Sequence, residues 1–164
     1  MKNIRIIAII FSFFFVNQGY ANQCLKAINL MADKTIVPLN LLLQVAKVES
    51  GYGAHKIPWP WAIQVQGKSY YFKTQSAANL YIKHLLSLGI ENFDVGCFQI
   101  NWRWHKDKIR TPQELLNPLN NTLIAAQFLI DLKTRHASWM KAVSNYHSSN
   151  PQQGKNYAKL VFKS

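Results

Sequence analysis

The stretch LLQVAKVESGYG, residues 42–53, carries an apolar run into one carboxylate and then into a glycine-rich turn. Pro38 precedes the run and Gly51 follows it, which predicts a helix from Leu39 to Glu49. Glu49 then lies at the negative end of the helix dipole, which raises the pKa of a carboxyl group by the equivalent of about 0.3–1 kcal/mol. For the Glu49 carboxyl group to be half protonated at about pH 6.5, its pKa must be raised by the equivalent of roughly 3 kcal/mol. Glu49 is therefore either a buried general acid, desolvated by apolar neighbours, or an ordinary surface residue of the last turn.

The rest of the chain predicts an α+β domain that is predominantly helical, with one small β-hairpin. The sequence AIQVQGKSYYF, residues 62–72, alternates apolar residues on both sides of a turn at Gly67-Lys68. Residues 76–88 predict an amphipathic helix that Gly89 ends. Its predicted apolar face consists of Ala77, Leu80, Tyr81, Leu85 and Leu88. Other helices are predicted over residues 25–32, 122–133, 139–146 and 157–162.

Residues 1–21 have the layout of a secretory signal peptide, with basic residues before the apolar run 6–16 and a cut expected after Ala21. The apolar run is too short to span a hydrocarbon core of roughly 30 Å, which needs about 20 residues. An uncleaved anchor at the same place is the alternative. Residues 22–164 then suit one compact domain with no transmembrane anchor, located in the periplasm or cell envelope.

The two cysteines, Cys24 and Cys97, are expected to form a disulfide, because an exported protein meets an oxidising compartment. Two free buried thiols are the alternative, since the sequence cannot place their Cα atoms within bonding distance.

The chain is strongly basic, with 19 Lys and Arg against seven Asp and Glu and a net charge of +12. Such a charge favours a polyanionic partner. The basic residues are scattered and form no nucleic-acid module, so an acidic polymer of the envelope is expected rather than nucleic acid.

No metal and no other cofactor is expected, because no two histidines have the tight spacing of a zinc site beside an acid. The histidines are His55, His84, His105, His136 and His147. We expect His84 on a helix surface and His105 in a loop.

Four motifs follow one another along the chain: Glu49-Ser50-Gly51, DVGCFQIN (residues 94–101), NPLNN (117–121) followed by AAQFL (125–129), and AVSNY (142–146). Together they resemble the motifs of the lysozyme-like lytic transglycosylases, the family built around the catalytic domain of the soluble lytic transglycosylases. The resemblance covers nearly the whole chain after residue 21 and implies a lysozyme-like domain.

The resemblance also implies the roles of individual residues, with Glu49 as the catalytic acid and base. The implied sugar groove is lined by Ser50, Phe98, Gln99, Ile100, Asn101 and Tyr146, with Gly96 letting the backbone come close to it. The chain departs from the family pattern at Cys97 and Phe98, which keep an apolar wall, and at His147, where an Asn and its hydrogen bond are usual. The segment Trp59-Pro60-Trp61 and the hairpin after it look like an insertion, whose aromatic residues either stack on sugars or anchor the core.

The activity implied by the resemblance needs only one carboxylate. It cleaves the β-1,4 bond between N-acetylmuramic acid (MurNAc) and N-acetylglucosamine (GlcNAc) of peptidoglycan glycan strands and closes a 1,6-anhydromuramoyl end. Hydrolytic glycosidases use two carboxylates; Asp94 is a candidate for the second, although an Asp before Gly96 is more often a turn cap. The alternatives are a hydrolytic muramidase on the same fold and a non-catalytic peptidoglycan-binding accessory of an envelope-spanning secretion or conjugation machine.

Overall fold

The computed structural model describes residues 23–163, so the predicted signal peptide lies outside the described residues. Seven α-helices and one 3₁₀ helix account for most of these residues, and the predominantly helical α+β class is confirmed. The helices are α1 (described over residues 23–34), α2 (Leu39–Ser50), α3 (Gln75–Ser87), α4 (Trp102–His105), the 3₁₀ helix Pro112–Leu116, α5 (Pro118–His136), α6 (Trp139–His147) and α7 (Pro151–Lys163). None of the helices within residues 23–163 has the length and apolar character needed to cross a bilayer.

The predicted hairpin forms two strands of a four-stranded antiparallel sheet. The strand order is β4 (Lys68–Tyr71), β3 (Ala62–Val65), β5 (Phe93–Val95) and β6 (Ile100–Asn101), and β1 (Gly51–Tyr52) pairs separately with β2 (Ile57–Pro58). The hairpin turn is Gln66-Gly67, one residue earlier than predicted. Both turn residues have positive φ, at 50° and 76°, as a tight turn matched to the strand twist requires.

The apolar face predicted for α3 is right for Leu85, which is buried, and for Tyr81, which packs against the core, but it is wrong for Leu80 and Leu88. Ala78 and Ile82 are fully buried, whereas Leu80 and Leu88 are 66% and 60% exposed. Leu85 belongs to both the predicted and the observed face. This helix has two overlapping apolar stripes. The periodicity of the sequence favours the stripe with more leucines, whereas packing against the rest of the domain buries Ala78 and Ile82 of the other stripe.

Helix α2 crosses the centre of the core, where Leu42, Val45 and Ala46 have no exposed surface. Cys24 on α1 and Cys97 after β5 form a disulfide, with 5.9 Å between their Cα atoms. The bridge attaches α1 to the turn between β5 and β6. This turn and the end of α2 both contribute residues to the cleft around Glu49.

The tryptophans of the Trp59-Pro60-Trp61 segment anchor the core. They are only 4% and 6% exposed, and the Trp59 indole N–H donates a hydrogen bond of 2.8 Å to the carbonyl oxygen of Phe72. Their rings therefore have no free face for a sugar, and for these two tryptophans the core-anchor interpretation is correct.

Candidate active site

Glu49 lies in the last turn of α2, partly buried, with its carboxyl group at the bottom of an open cleft. The Tyr157 hydroxyl on α7 donates a hydrogen bond of 2.5 Å to Oε1 of Glu49. Glu49 is thus held between helices that are far apart in the sequence, and it is not an ordinary surface residue.

The pKa of Glu49 is raised to about 8. Burial of the carboxyl group is the main cause, because the charged form loses water, while the Tyr157 hydrogen bond lowers the pKa and the charge of Asp94 raises it. The carboxyl group is therefore mostly protonated at neutral pH. A protonated acid in an open cleft is the state that a general acid needs before its reaction.

The cleft around Glu49, which we call the main cleft, has a volume of about 440 Å³. Four of the predicted groove residues line it: Gln99, Ile100, Asn101 and Tyr146. Polar and aromatic residues that the sequence analysis did not select complete its lining: Gln64, Trp104, Phe128, Asn145, Ser148 and Ser149. A cleft that combines aromatic rings with several hydrogen-bonding groups suits a sugar chain.

Asp94 also lines the main cleft, so a second carboxyl group faces the space occupied by Glu49. It is part of strand β5, paired with Asn101 of β6, and it accepts a hydrogen bond of 2.8 Å from the Asn101 side-chain amide. Burial raises its pKa. The expectation that Asp94 caps a turn is wrong, because its side chain projects from a strand into the cleft.

Gln99 and Tyr146 are both fixed by hydrogen bonds to backbone oxygens. The Gln99 amide nitrogen donates to the carbonyl oxygens of Ala62 (3.1 Å) and Gly96 (2.9 Å), and the Tyr146 hydroxyl donates to that of Phe98 (2.9 Å). Burial raises the pKa of Tyr146 well above its usual value, so its hydroxyl keeps its proton. These side chains therefore present a rigid wall beside Glu49.

Two of the predicted groove residues do not line the groove. Ser50 is 1% exposed; its hydroxyl donates a 2.7 Å hydrogen bond to the Cys97 carbonyl and accepts one of 3.1 Å from the Trp59 backbone N–H. It therefore connects the end of α2 to the β5–β6 turn. Phe98 has no exposed surface and lies in the core, because its side chain points away from the cleft. Both expectations were wrong because adjacent residues of a motif point in different directions.

Gly96 is needed for a different reason from the one expected. Its φ is +85°, and a Cβ atom at this position would lie 2.4 Å from Nδ2 of Asn121 and 2.8 Å from the Leu115 carbonyl oxygen. Asn121, which is fully buried, accepts a hydrogen bond from the Phe98 backbone N–H and donates to the carbonyls of Val95 and Leu115. The glycine thus makes room for the amide that holds the β5–β6 turn, and it does not approach the groove.

Tyr157 is the residue of the site that sequence reasoning missed most clearly. The sequence predicted its helix only as a short segment, residues 157–162. The spacing of Tyr157 and Val161 is typical of the buried face of an ordinary helix. His147 stacks on its ring, with 4.5 Å between ring centroids and an angle of 4° between ring planes.

His105, expected in a loop, is the last residue of α4 and lines the main cleft, edge-on to Phe128. Only the tertiary contacts identify these roles.

Within residues 23–163, no three or more His, Cys, Asp or Glu side chains form a cluster that could hold a metal ion.

The predominantly helical α+β fold with its small sheets is that of a lysozyme-like domain, and Glu49 lines its open, polar cleft. Residues 26–160 match the family model described as Transglycosylase SLT domain, and the chain belongs to this family. The match confirms the resemblance drawn from the four motifs. No curated protein and no solved structure matches the chain. Proteins with this domain are generally lytic transglycosylases, so the family implies binding to peptidoglycan and activity of this type.

Proposed function

We propose that this protein is a peptidoglycan lytic transglycosylase that cleaves the MurNAc–GlcNAc β-1,4 bond, with Glu49 as its acid and base. The observation that carries the proposal is the Glu49 carboxyl group, whose pKa is about 8 and which faces an open cleft. A carboxyl group that keeps its proton at neutral pH can donate it to a glycosidic oxygen. In the same cleft, we assign contacts with the sugar rings to Gln99, Ile100, Asn101 and Tyr146.

In this reaction Glu49 first donates a proton and then accepts a different one. Glu49 donates its proton to the bridging oxygen as the bond from that oxygen to C1 of MurNAc breaks, and the N-acetyl group of the same sugar stabilises the positive charge that develops. The carboxylate then takes the proton of the MurNAc C6 hydroxyl, whose oxygen bonds to C1 and closes the 1,6-anhydro ring. Glu49 ends protonated, and no water is consumed.

Hydrolysis by a muramidase mechanism is the second candidate, and Asp94 is the observation that favours it. Asp94 lines the same cleft as Glu49 and contributes to the raised Glu49 pKa. A second carboxylate is what a hydrolytic glycosidase uses to activate water or to form a covalent intermediate. Against this role, Asp94 is already committed to a hydrogen bond with the Asn101 amide.

The raised pKa of Glu49 disfavours a non-catalytic binding role, because it lowers the stability of the folded protein. A carboxyl group whose pKa is raised from 4.5 to about 8 makes the folded protein less stable at neutral pH than at low pH. A protein that only holds glycan gains nothing from this arrangement, whereas an acid catalyst needs it.

The place of action belongs to the same proposal. We place the protein in the periplasm or cell envelope, where peptidoglycan strands are available, and its +12 charge favours association with anionic envelope polymers. An association with a secretion or conjugation machine stays a prediction.

Digestion of purified peptidoglycan, followed by mass spectrometry of the products, tests the proposal. We expect muropeptides with 1,6-anhydro ends from the wild-type protein and none from Glu49→Gln, which has the same shape but no proton to donate. Asp94→Asn should retain the anhydro products. Products with reducing ends, lost in the Asp94→Asn variant, would instead establish the muramidase.

A further inference from the structure

A second cavity, of about 600 Å³, also has Glu49 in its lining. We call it the hairpin cavity, because strand β4 of the hairpin contributes Ser69 and Tyr71 to its lining. Glu49, Gln64 and His147 line both this cavity and the main cleft. The two spaces therefore meet at the catalytic carboxyl group, and a chain that occupies one can continue into the other.

Tyr71, which lines the hairpin cavity, forms an aromatic pair with Tyr52. Tyr71 is 36% exposed and Tyr52 is 47% exposed, and the centroids of their rings are 4.8 Å apart. Tyr52 also packs on the buried ring of Trp59, at 5.1 Å. Because the indole N–H of Trp59 is bonded to the Phe72 carbonyl oxygen, the pair rests on a fixed part of the core. Two accessible rings are thus held in place before any ligand arrives.

We propose that the Tyr52–Tyr71 pair is a stacking platform for a pyranose ring of the glycan strand, on the hairpin side of the cleavage point. This inference rests on the proposed function and extends it. A β-linked pyranose has an apolar face of C–H groups that packs on an aromatic ring, while its hydroxyl and acetamido groups point outward. Ser69, Gln153 and Asn156 line the same cavity and supply hydrogen-bonding groups for that polar rim. Preorganised rings lose little conformational entropy on binding.

Continuity with the main cleft favours a sugar as the occupant. The unit that follows the scissile bond in a glycan strand is another pyranose, and the hairpin cavity can hold it because both spaces reach Glu49. Lys56 also lines the hairpin cavity and would suit a carboxylate of a stem peptide. The exposed faces of two neighbouring tyrosine rings, tilted by 43° to each other, however, match a flat apolar sugar face better than a charged peptide.

The test measures binding of GlcNAc oligosaccharides, free of any peptide, to the Glu49→Gln protein, which should not cleave them. Adding Tyr71→Ala should weaken the binding of a hexasaccharide by about tenfold, the effect of one lost aromatic contact. Tyr71→Phe should keep wild-type-like binding because it keeps the ring. Binding of a disaccharide, which the main cleft can hold alone, should not change.

Tyr70 offers a matched control. It precedes Tyr71 on β4 and is 37% exposed, but its side chain points to the other face of the strand, where it packs on Tyr81 of α3. Tyr70→Ala should leave hexasaccharide binding unchanged. Equal binding by the Tyr70→Ala and Tyr71→Ala proteins would overturn the platform, as would a Tyr71 effect seen only with peptide-bearing strands.

The outcome for the platform can be separated from the outcome for the proposed function. Cleavage of glycan by the Glu49→Gln protein would contradict the catalytic assignment without affecting the binding comparison between the tyrosine variants. Unaltered hexasaccharide binding in Tyr71→Ala, together with an inactive Glu49→Gln, would contradict the platform alone. Unchanged thermal unfolding of each variant excludes misfolding as the cause of weak binding.

Discussion

Replacing Glu49 with glutamine should make the protein more stable at neutral pH while it abolishes glycan cleavage. Glutamine has the size of glutamate, and its amide oxygen can still accept the Tyr157 hydroxyl, which lies 2.5 Å from Oε1. The substitution therefore removes the charge and the titrating proton but keeps the packing. It isolates the free-energy cost of placing an ionisable group at the bottom of the cleft.

The magnitude follows from the pKa of Glu49, which is about 8 in the folded protein against 4.5 for an unperturbed glutamate. Below pH 4.5 both states hold the proton and the carboxyl group has no effect on the pH dependence of folding. As the pH rises toward 8, the unfolded chain releases the proton while the folded protein retains it. The free energy of unfolding then falls by about 1.4 kcal/mol per pH unit.

At pH 7 the wild-type protein has therefore lost about 3 kcal/mol relative to its value at low pH, and above pH 8 the loss levels off at about 5 kcal/mol. The glutamine variant has no such loss. The difference is large, because the whole free energy of unfolding of a domain is about 5–15 kcal/mol.

Urea unfolding of both proteins between about pH 4 and pH 9 measures this difference, with the disulfide kept intact. We expect the two stabilities to be closest at low pH, to diverge from pH 4.5 to pH 8 in favour of the variant, and then to run parallel. Parallel curves over the whole range would mean that Glu49 ionises like an exposed glutamate. Glu49 would then not be a protonated acid at neutral pH, whatever the activity of the variant.

Three other predictions concern the surroundings of this acid. Tyr157→Phe removes a hydrogen bond that lowers the pKa of the cleft carboxyl; the alkaline limb of the pH–activity profile, expected near pH 8 in the wild type, should shift to higher pH, and an unmoved limb would contradict the role of this bond. Replacing Cys24 and Cys97 with serine opens a loop of 73 residues and should lower the free energy of unfolding by about 4 kcal/mol, measured by denaturant titration. Gly96→Ala should cost about 4 kcal/mol, since both its φ and its contacts oppose a Cβ atom. Gly67→Ala, with a similar φ but open space, should cost only about 1–2 kcal/mol, and equal losses would show that φ alone matters.

Local signals in the sequence predicted much of the fold. Proline and glycine marked the ends of α2, and alternation of apolar residues marked the hairpin to within one residue of its turn. These signals depend on the φ angles and periodicity of neighbouring residues, so a linear reading can find them. The face of α3 could not be found in this way, because the burial of Ala78 rather than Leu80 depends on what packs against the helix.

The motif residues divided into groups that the sequence could not separate. Gln99 and Asn101 line the cleft, whereas their neighbour Phe98 is fully buried in the core. A positive φ of 47° at Gln99 changes the direction of the chain there, and simple alternation along a strand no longer tells which side chains face the cleft. Similarly, the hydroxyl of Ser50 is used entirely inside the protein.

By itself, the sequence determined the family, the helix-rich fold and the identity of the one glutamate at the end of an apolar helix. Only the tertiary structure decided that this glutamate keeps its proton. Burial of the carboxyl group and the charge of Asp94, which reaches the cleft from a strand, raise its pKa, while the hydrogen bond from Tyr157, 108 residues away in the chain, lowers it. A pKa depends on the water, charges and hydrogen bonds around a group in three dimensions, and these come from segments whose distance in the sequence carries no information about their distance in space.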